Sequence, residues 1–275
     1  MNGVLELMEN GEEWGITAEQ LFLPAIRESE RRETFEQLLA AAEDAGIPVS
    51  YIKCGDEIRD SQLRLLCLHP EENTTLADAN AYSECFYVEV FAKKMKQEAI
   101  DDRKANDASG ASAIGKISIL LTGDVEGEGE RQLTQKLQAL QESQSLQESR
   151  SLQESRSLQE SRSLQESQSL QESQSLQLTR RLQEQRGQRK FRVDILKVAH
   201  HGSGYSTGTE FLATASPATA IISCGRNNSY GHPHVETLQR LEDARVPWYG
   251  TMDYGALTVN VDSHGNRLRG YLRRK

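Results

Sequence analysis

Three short segments put metal-active and proton-active side chains behind an apolar strand or in a tight turn. Leu120-Leu121-Thr122-Gly123-Asp124 delivers one carboxylate beyond a glycine. Lys197-Val198-Ala199-His200-His201-Gly202-Ser203 delivers two imidazoles beside a glycine. Asn228-Ser229-Tyr230-Gly231-His232-Pro233-His234 places two more imidazoles in a tight turn ahead of a helical stretch. Of the six histidines, four lie in this short span: His200, His201, His232 and His234. Imidazole and carboxylate at strand ends are the donors of a zinc- or manganese-type site. Gly202 and Gly231 allow close backbone approach to a ligand. Singly, each segment has an ordinary structural role. An aspartate after Thr-Gly caps a turn or helix, adjacent histidines fill a polar surface, and Gly-His-Pro-His starts a helix. Together they point to one metal-centred pocket.

The elements that must position these residues are legible from periodicity. Residues 2–13 and 17–45 look helical; Phe35, Leu38, Leu39 and Ala42 fall at helical spacing and Gly46 closes the second stretch. Within it, Gln20–Pro24 is a short apolar run that reads as a buried strand. Strands are also expected over 48–52, 63–68, 83–92, 117–121, 193–199 and 220–223, with helices over 210–215 and 234–245. Segments 257–261 and 268–272 read as a terminal hairpin around Ser263-His264-Gly265, and 71–82 and 97–115 as polar loops. Short strands alternating with helices indicate an α/β fold with mixed sheets.

The chain has 275 residues, enough for one large or two small domains. It carries 32 basic and 41 acidic residues, for a formal charge of −9. That balance argues against broad attraction to nucleic-acid phosphates but leaves room for a local cation-centred site. No apolar run approaches the ~20 residues that span a bilayer, and the acidic N-terminus is unlike a secretory signal. Cys54, Cys67, Cys85 and Cys224 form no CxxC pair, so neither a zinc ribbon nor a disulfide framework is indicated. A soluble chain in a reducing, cytoplasmic compartment is the default expectation.

Hydrophobic content is only 37% because residues 131–190 form a polar tract, with 10 basic and 7 acidic side chains. Residues 145–174 are five hexads of the form SLQES(R/Q). Each step of six rotates a helical leucine by about 240°, so these leucines form no stripe. A solvated helix or a disordered tract is expected, inserted between the two parts (1–130 and 191–275) of one domain. Deleting 140–180 is expected to leave thermal stability nearly unchanged.

The ordered set LLTGD, DILKVAHHGSGYST, AIISCGRNNSYGHPH and GTMDYGALTV resembles the C-terminal metallo-β-lactamase-like domain of the ComEC family of competence DNA-uptake proteins. The resemblance is loose over 2–130 and close over 191–261. It implies an αββα sandwich with a dinuclear metal site at one edge, a divalent metal cofactor (zinc or manganese), and nuclease or phosphodiesterase activity on a phosphodiester such as single-stranded DNA. Carried over, Asp124 matches the bridging carboxylate, and His200 and His201 the histidine pair with at least one ligand. His232 and His234 match the pocket-edge turn. Catalytic roles fall to His200, His201 and His232. Ser203, Asn228, Tyr230, His232 and His234 are the substrate-binding candidates. Asn80 and Ser83 loosely match a polar asparagine-serine element.

One departure matters. The family takes most of its ligands from an early HxHxDH or HxDxDH motif, and the first histidine here is His69, alone before a proline. Met1-Asn2-Gly3-Val4 resembles the sequence that follows that motif, so an N-terminally truncated domain is expected, without the family's membrane channel. Such a chain would hold one metal weakly or none, and an open sheet edge would make it marginally stable. Three readings stay open: a metal-dependent phosphodiesterase or nuclease, a catalytically incomplete fragment or binding remnant, and another hydrolase of the superfamily such as a lactonase or phosphocholine esterase.

Overall fold

Val88, Ile119 and Ile195 lie in register on three neighbouring strands, and Tyr87, Leu120 and Leu196 lie in register on the opposite face. This alternation builds the central sheet. The computed structural model describes residues 2–11, 13–72, 75, 76, 80–91, 116–163, 193–262 and 265–271. The fold is α/β with a mixed sheet. The sheet contains β3 (Glu57–Arg59), β4 (Leu63–His69), β5 (Cys85–Phe91), β6 (Lys116–Leu121), β7 (Ile195–Lys197), β8 (Thr219–Ile222) and β9 (Trp248–Gly250), in that order. Pairing is antiparallel from β3 to β6 and parallel from β6 to β9.

The parallel half needs crossovers. They are supplied by α3 (Gly127–Ser163), α4 (Thr209–Ala215) and α5 (Val235–Asp243). Their apolar residues Leu133, Leu137, Phe211, Leu212 and Leu241 close a core against Tyr87, Leu120, Leu196, Ala220 and Ile222. On the other face Val88, Ile117 and Ile195 are buried, whereas Leu121 is exposed. A smaller unit precedes the sheet: β1 (Leu21–Pro24) pairs in parallel with β2 (Val49–Ile52), and α1 (Asn2–Asn10) and α2 (Glu33–Asp44) pack around Leu21, Leu23, Phe35 and Leu38. A short helix α6 (Thr251–Tyr254) and the antiparallel pair β10 (Leu257–Asp262) and β11 (Gly265–Gly270) end the described chain.

Several expectations shift in detail. The helix expected over 17–45 is confined to Glu33–Asp44, because Pro24 ends β1 and the charged run Arg27–Arg32 offers no apolar stripe; only a 3₁₀ turn forms there, at Glu28–Glu30. The three-residue strands β3 and β9 are too short to show a period in the sequence. Residues 127–163 form one helix, and the boundary at 131 falls inside it: Leu133 and Leu137 are fully buried, Leu140 packs against the same core, and the hexad residue Leu146 is 62% exposed. The loop 97–115, the tract 164–190, Ser263, His264 and Leu272 lie outside the described residues.

Candidate metal edge

The parallel strands β6, β7 and β8 end side by side, with Leu121, Lys197 and Ile221 in register. The carboxyl ends of parallel strands are where open α/β sheets bind ligands. Asp124, His200 and Ser223 follow directly. Ser83 Oγ accepts the backbone N–H of Asp124 at 3.1 Å. Gly123 sits at φ +53°, and a Cβ there would lie 3.0 Å from the Ser83 Cβ. Ser83 therefore positions the Gly123-Asp124 turn.

The histidine loop departs from ordinary backbone geometry. His200, His201 and Gly202 are consecutively left-handed, at φ +44°, +57° and +87°. For the two histidines this costs roughly 1–3 kcal/mol each, and such strain persists only where surrounding contacts impose it. A Cβ on Gly202 would meet the Pro233 Cβ at 2.7 Å, so glycine is what lets the His232-Pro233-His234 turn close over the loop. The Gly202 carbonyl accepts the His234 N–H at 2.9 Å.

Together the two turns form a cluster. Ring centroids of His200 and His201 are 6.3 Å apart, of His200 and His232 5.5 Å, and of His201 and His232 6.3 Å. His201 Nε2 stands 3.7 Å from Asp124 Oδ1. That exceeds a hydrogen bond and is close to the roughly 3.4 Å that separates two ligands at ~2.1 Å from one tetrahedral ion. His201 Nδ1–H donates to the Ser223 carbonyl at 2.5 Å, and His200 Nδ1–H donates to Glu126 Oε2 at 3.0 Å. Each bond leaves Nε2 with the lone pair, the arrangement in which carbonyls and carboxylates orient metal-ligating imidazoles. Glu126 also accepts from Asn80 Nδ2 at 3.2 Å.

The remaining candidates divide by role. Asn228 receives the His232 N–H at 2.9 Å and donates to the His232 and Gly225 carbonyls, so it braces the turn. His234 is a strut: Nδ1 accepts the Gly204 N–H at 2.9 Å and Nε2–H donates to the Tyr230 carbonyl at 3.0 Å. Ser203 is buried; its Oγ accepts the Tyr205 N–H and its carbonyl accepts the Thr237 hydroxyl. Tyr230 is 77% exposed, with its ring stacked on His232 at 5.8 Å. Burial pulls the His232 pKa below the usual imidazole range, and the neighbouring His234, His200 and His201 lower it further. Burial likewise lowers Lys197, opposed by the charge of Asp124.

Asp124 and His201, flanked by His200 and His232, are donors of the right chemistry for a divalent transition ion. Among the described residues they do not close into a full cage: no group of three or more His, Cys, Asp or Glu converges on one point. Glu126 was invisible in the sequence, one acidic residue among 41 with no pattern marking it.

An α/β chain with a carboxylate–histidine cluster at the ends of its parallel strands is the class that fold and site define. No family model matches the chain. It is 26% identical over 224 residues to ComE operon protein 3 of Bacillus subtilis, covering 80% of this chain and 19% of that protein. It is 38% identical over 69 residues to Recombination protein 2 of Haemophilus influenzae, covering 25% of this chain and 9% of that protein. The chain thus spans about a fifth of the length of the first relative and less than a tenth of the second. The likeness to a ComE operon protein agrees with the competence-protein resemblance that the motifs carry. Among the described residues no helix is long and apolar enough to cross a membrane.

Proposed function

We propose that the chain carries the carboxylate–histidine edge of a metal-dependent phosphodiester hydrolase in a metallo-β-lactamase-like domain, with single-stranded DNA as the natural type of substrate. The observation that carries this is the pairing of Asp124 and His201 at 3.7 Å, each histidine of the tandem having its Nδ1 tied off. A divalent zinc or manganese ion there supplies Lewis acidity toward a phosphoryl oxygen and acidifies water near neutral pH. Asp124 and His201 would hold it, with His200 beside them under the control of Glu126. His232, whose pKa is drawn down chiefly by burial, can donate a ring N–H hydrogen bond to a phosphate oxygen. Tyr230 stands exposed at the rim, where an unstacked base can lie against its ring.

A second reading is that the chain alone binds its substrate without turning it over. It is favoured by the open ligand set among the described residues. Incubation with Mn²⁺ or Zn²⁺ and either a single-stranded oligonucleotide or bis(p-nitrophenyl) phosphate separates the two. The first reading expects hydrolysis that Asp124→Asn abolishes. The second expects metal-dependent oligonucleotide binding with no product. Neither binding nor hydrolysis above the Asp124→Asn background overturns both.

A further inference from the structure

We infer that Glu130 and Arg240 are the positioning pair of this site: two charged side chains, from α3 and α5, clamp the loop Ala199–Gly208 and so hold His200 and His201 against Asp124. The inference rests on the reading above for what the histidines do, and on geometry of its own for how they are held.

The bonds converge on one loop. The Glu130 carboxylate accepts the backbone N–H groups of Thr207 and, at 2.8 Å, of Gly208. The Arg240 guanidinium donates to the carbonyls of Thr207 at 3.0 Å, Ser206 at 2.8 Å and Gly204 at 3.0 Å, and to Thr237 Oγ1 at 2.9 Å. Thr207, itself left-handed at φ +56°, is held by Glu130 through its N–H and by Arg240 through its carbonyl. Its hydroxyl accepts the Ala199 N–H at 3.3 Å, and Ser206 Oγ donates to the Ala199 carbonyl at 3.0 Å. The far end of the loop is thereby tied to the residue just before His200.

Two features set this apart from ordinary packing. Among the described residues, the hydrogen bonds of these two side chains go to backbone of the histidine loop and to Thr237 Oγ1, and Thr237 in turn donates to the Ser203 carbonyl of that loop at 2.7 Å. The same short acidic run makes three separate contacts to the loop: Asp124 faces His201, Glu126 holds His200, and Glu130 holds Thr207 and Gly208. The loop's left-handed turn is thus fixed between one carboxylate run and one guanidinium fork, whose planar bidentate geometry a lysine does not reproduce.

The test uses the full chain and the variants Arg240→Ala, Arg240→Lys and Glu130→Gln, with Mn²⁺ alone as the probe. Folding is checked by circular dichroism, and amide hydrogen exchange is followed across the loop. Expected are a loss of Mn²⁺ affinity of about 10- to 100-fold in folded Arg240→Ala, the range for lost orienting contacts, little rescue in Arg240→Lys, and partial restoration of Arg240→Ala by millimolar guanidinium. Exchange at Thr207 and Gly208 accelerates while β7 stays protected. Unchanged affinity and unchanged loop exchange in a folded variant overturn the inference. If Arg240→Ala does not fold, Arg240→Lys and Glu130→Gln carry the same test. If the wild-type chain binds no Mn²⁺, the metal reading fails, and loop exchange alone decides whether Glu130 and Arg240 hold the turn.

Discussion

The carboxylate of Glu126 accepts the Nδ1–H of His200 at 3.0 Å, three residues into the turn that follows β7. This single bond selects the tautomer of His200 and ties the segment after β6 to the segment after β7. Replacing Glu126 by Gln keeps the size and loses the charge. Mn²⁺ or Zn²⁺ affinity is expected to fall about 10-fold or more, since removing such orienting partners typically costs 10–100-fold. Calorimetric titration of wild type against Glu126→Gln checks it.

Gly202 is where two turns of the site touch. An alanine there would combine a left-handed φ of +87° with a Cβ 2.7 Å from the Pro233 Cβ. Gly202→Ala is expected to destabilise the fold by about 2 kcal/mol or more. Urea unfolding measures this. An unshifted midpoint would show that the His232–Pro233 turn does not rest on the loop.

The first turns of α3 and its hexads predict opposite responses to leucine truncation. Leu137 is fully buried in the main core, so Leu137→Ala is expected to cost about 2–5 kcal/mol. Leu146 is 62% exposed, and Leu146→Ala is expected to stay within about 0.5 kcal/mol of wild type. The safe limit for excising the repeat therefore lies beyond Gln141, whose Nε2 donates to the Thr214 carbonyl at 2.7 Å.

Glu84 gives the stability a pH dependence. Burial raises its pKa from the ordinary 4.5 to about 7, and its Oε1 is buried with no hydrogen-bond partner among the described residues. Below about pH 4.5 both folded and unfolded chains hold the proton and the group costs nothing. Between 4.5 and 7 the folded chain keeps a proton that the unfolded chain has released, so this contribution falls as pH rises. Above 7 the full cost, at most about 3 kcal/mol, remains. Glu84→Gln is expected to unfold at a higher urea concentration than wild type at pH 8, with little difference at pH 5. Equal midpoints at pH 8 would contradict the assignment.

Much of the architecture was legible because the parallel strands are apolar runs ending in polar residues. Ile117–Leu121 and Val193–Ala199 announce both the strand and the turn that follows. The cluster residues were legible for the same reason: Asp124, His200 and His201 sit where those runs stop, and His232 stands in the Gly-His-Pro-His turn ahead of α5. Their supports were not. Glu126 and Glu130 lie in a glycine-rich acidic run that reads as surface, and Arg240 sits on an amphipathic helix where one arginine resembles any other. Apart from Thr237, three residues before Arg240, their partners are more than 30 residues away and mostly backbone, which no side-chain pattern encodes. His234 shows the converse. Its place beside His232 suggested the pocket edge, yet both its ring nitrogens are engaged by backbone. The Leu133, Leu137 and Leu140 stripe was present in the sequence at helical spacing, but it runs directly into a repeat whose leucines recur every six residues and was absorbed into that tract.

The most direct test of the metal edge is titration of the purified chain with Co²⁺ or Mn²⁺, read by visible absorption or paramagnetic resonance, beside Asp124→Asn and His201→Ala. The account predicts one binding event in the wild type that each substitution weakens at least 10-fold while the fold is retained. Equal affinity in all three proteins, or no binding in any, would contradict it.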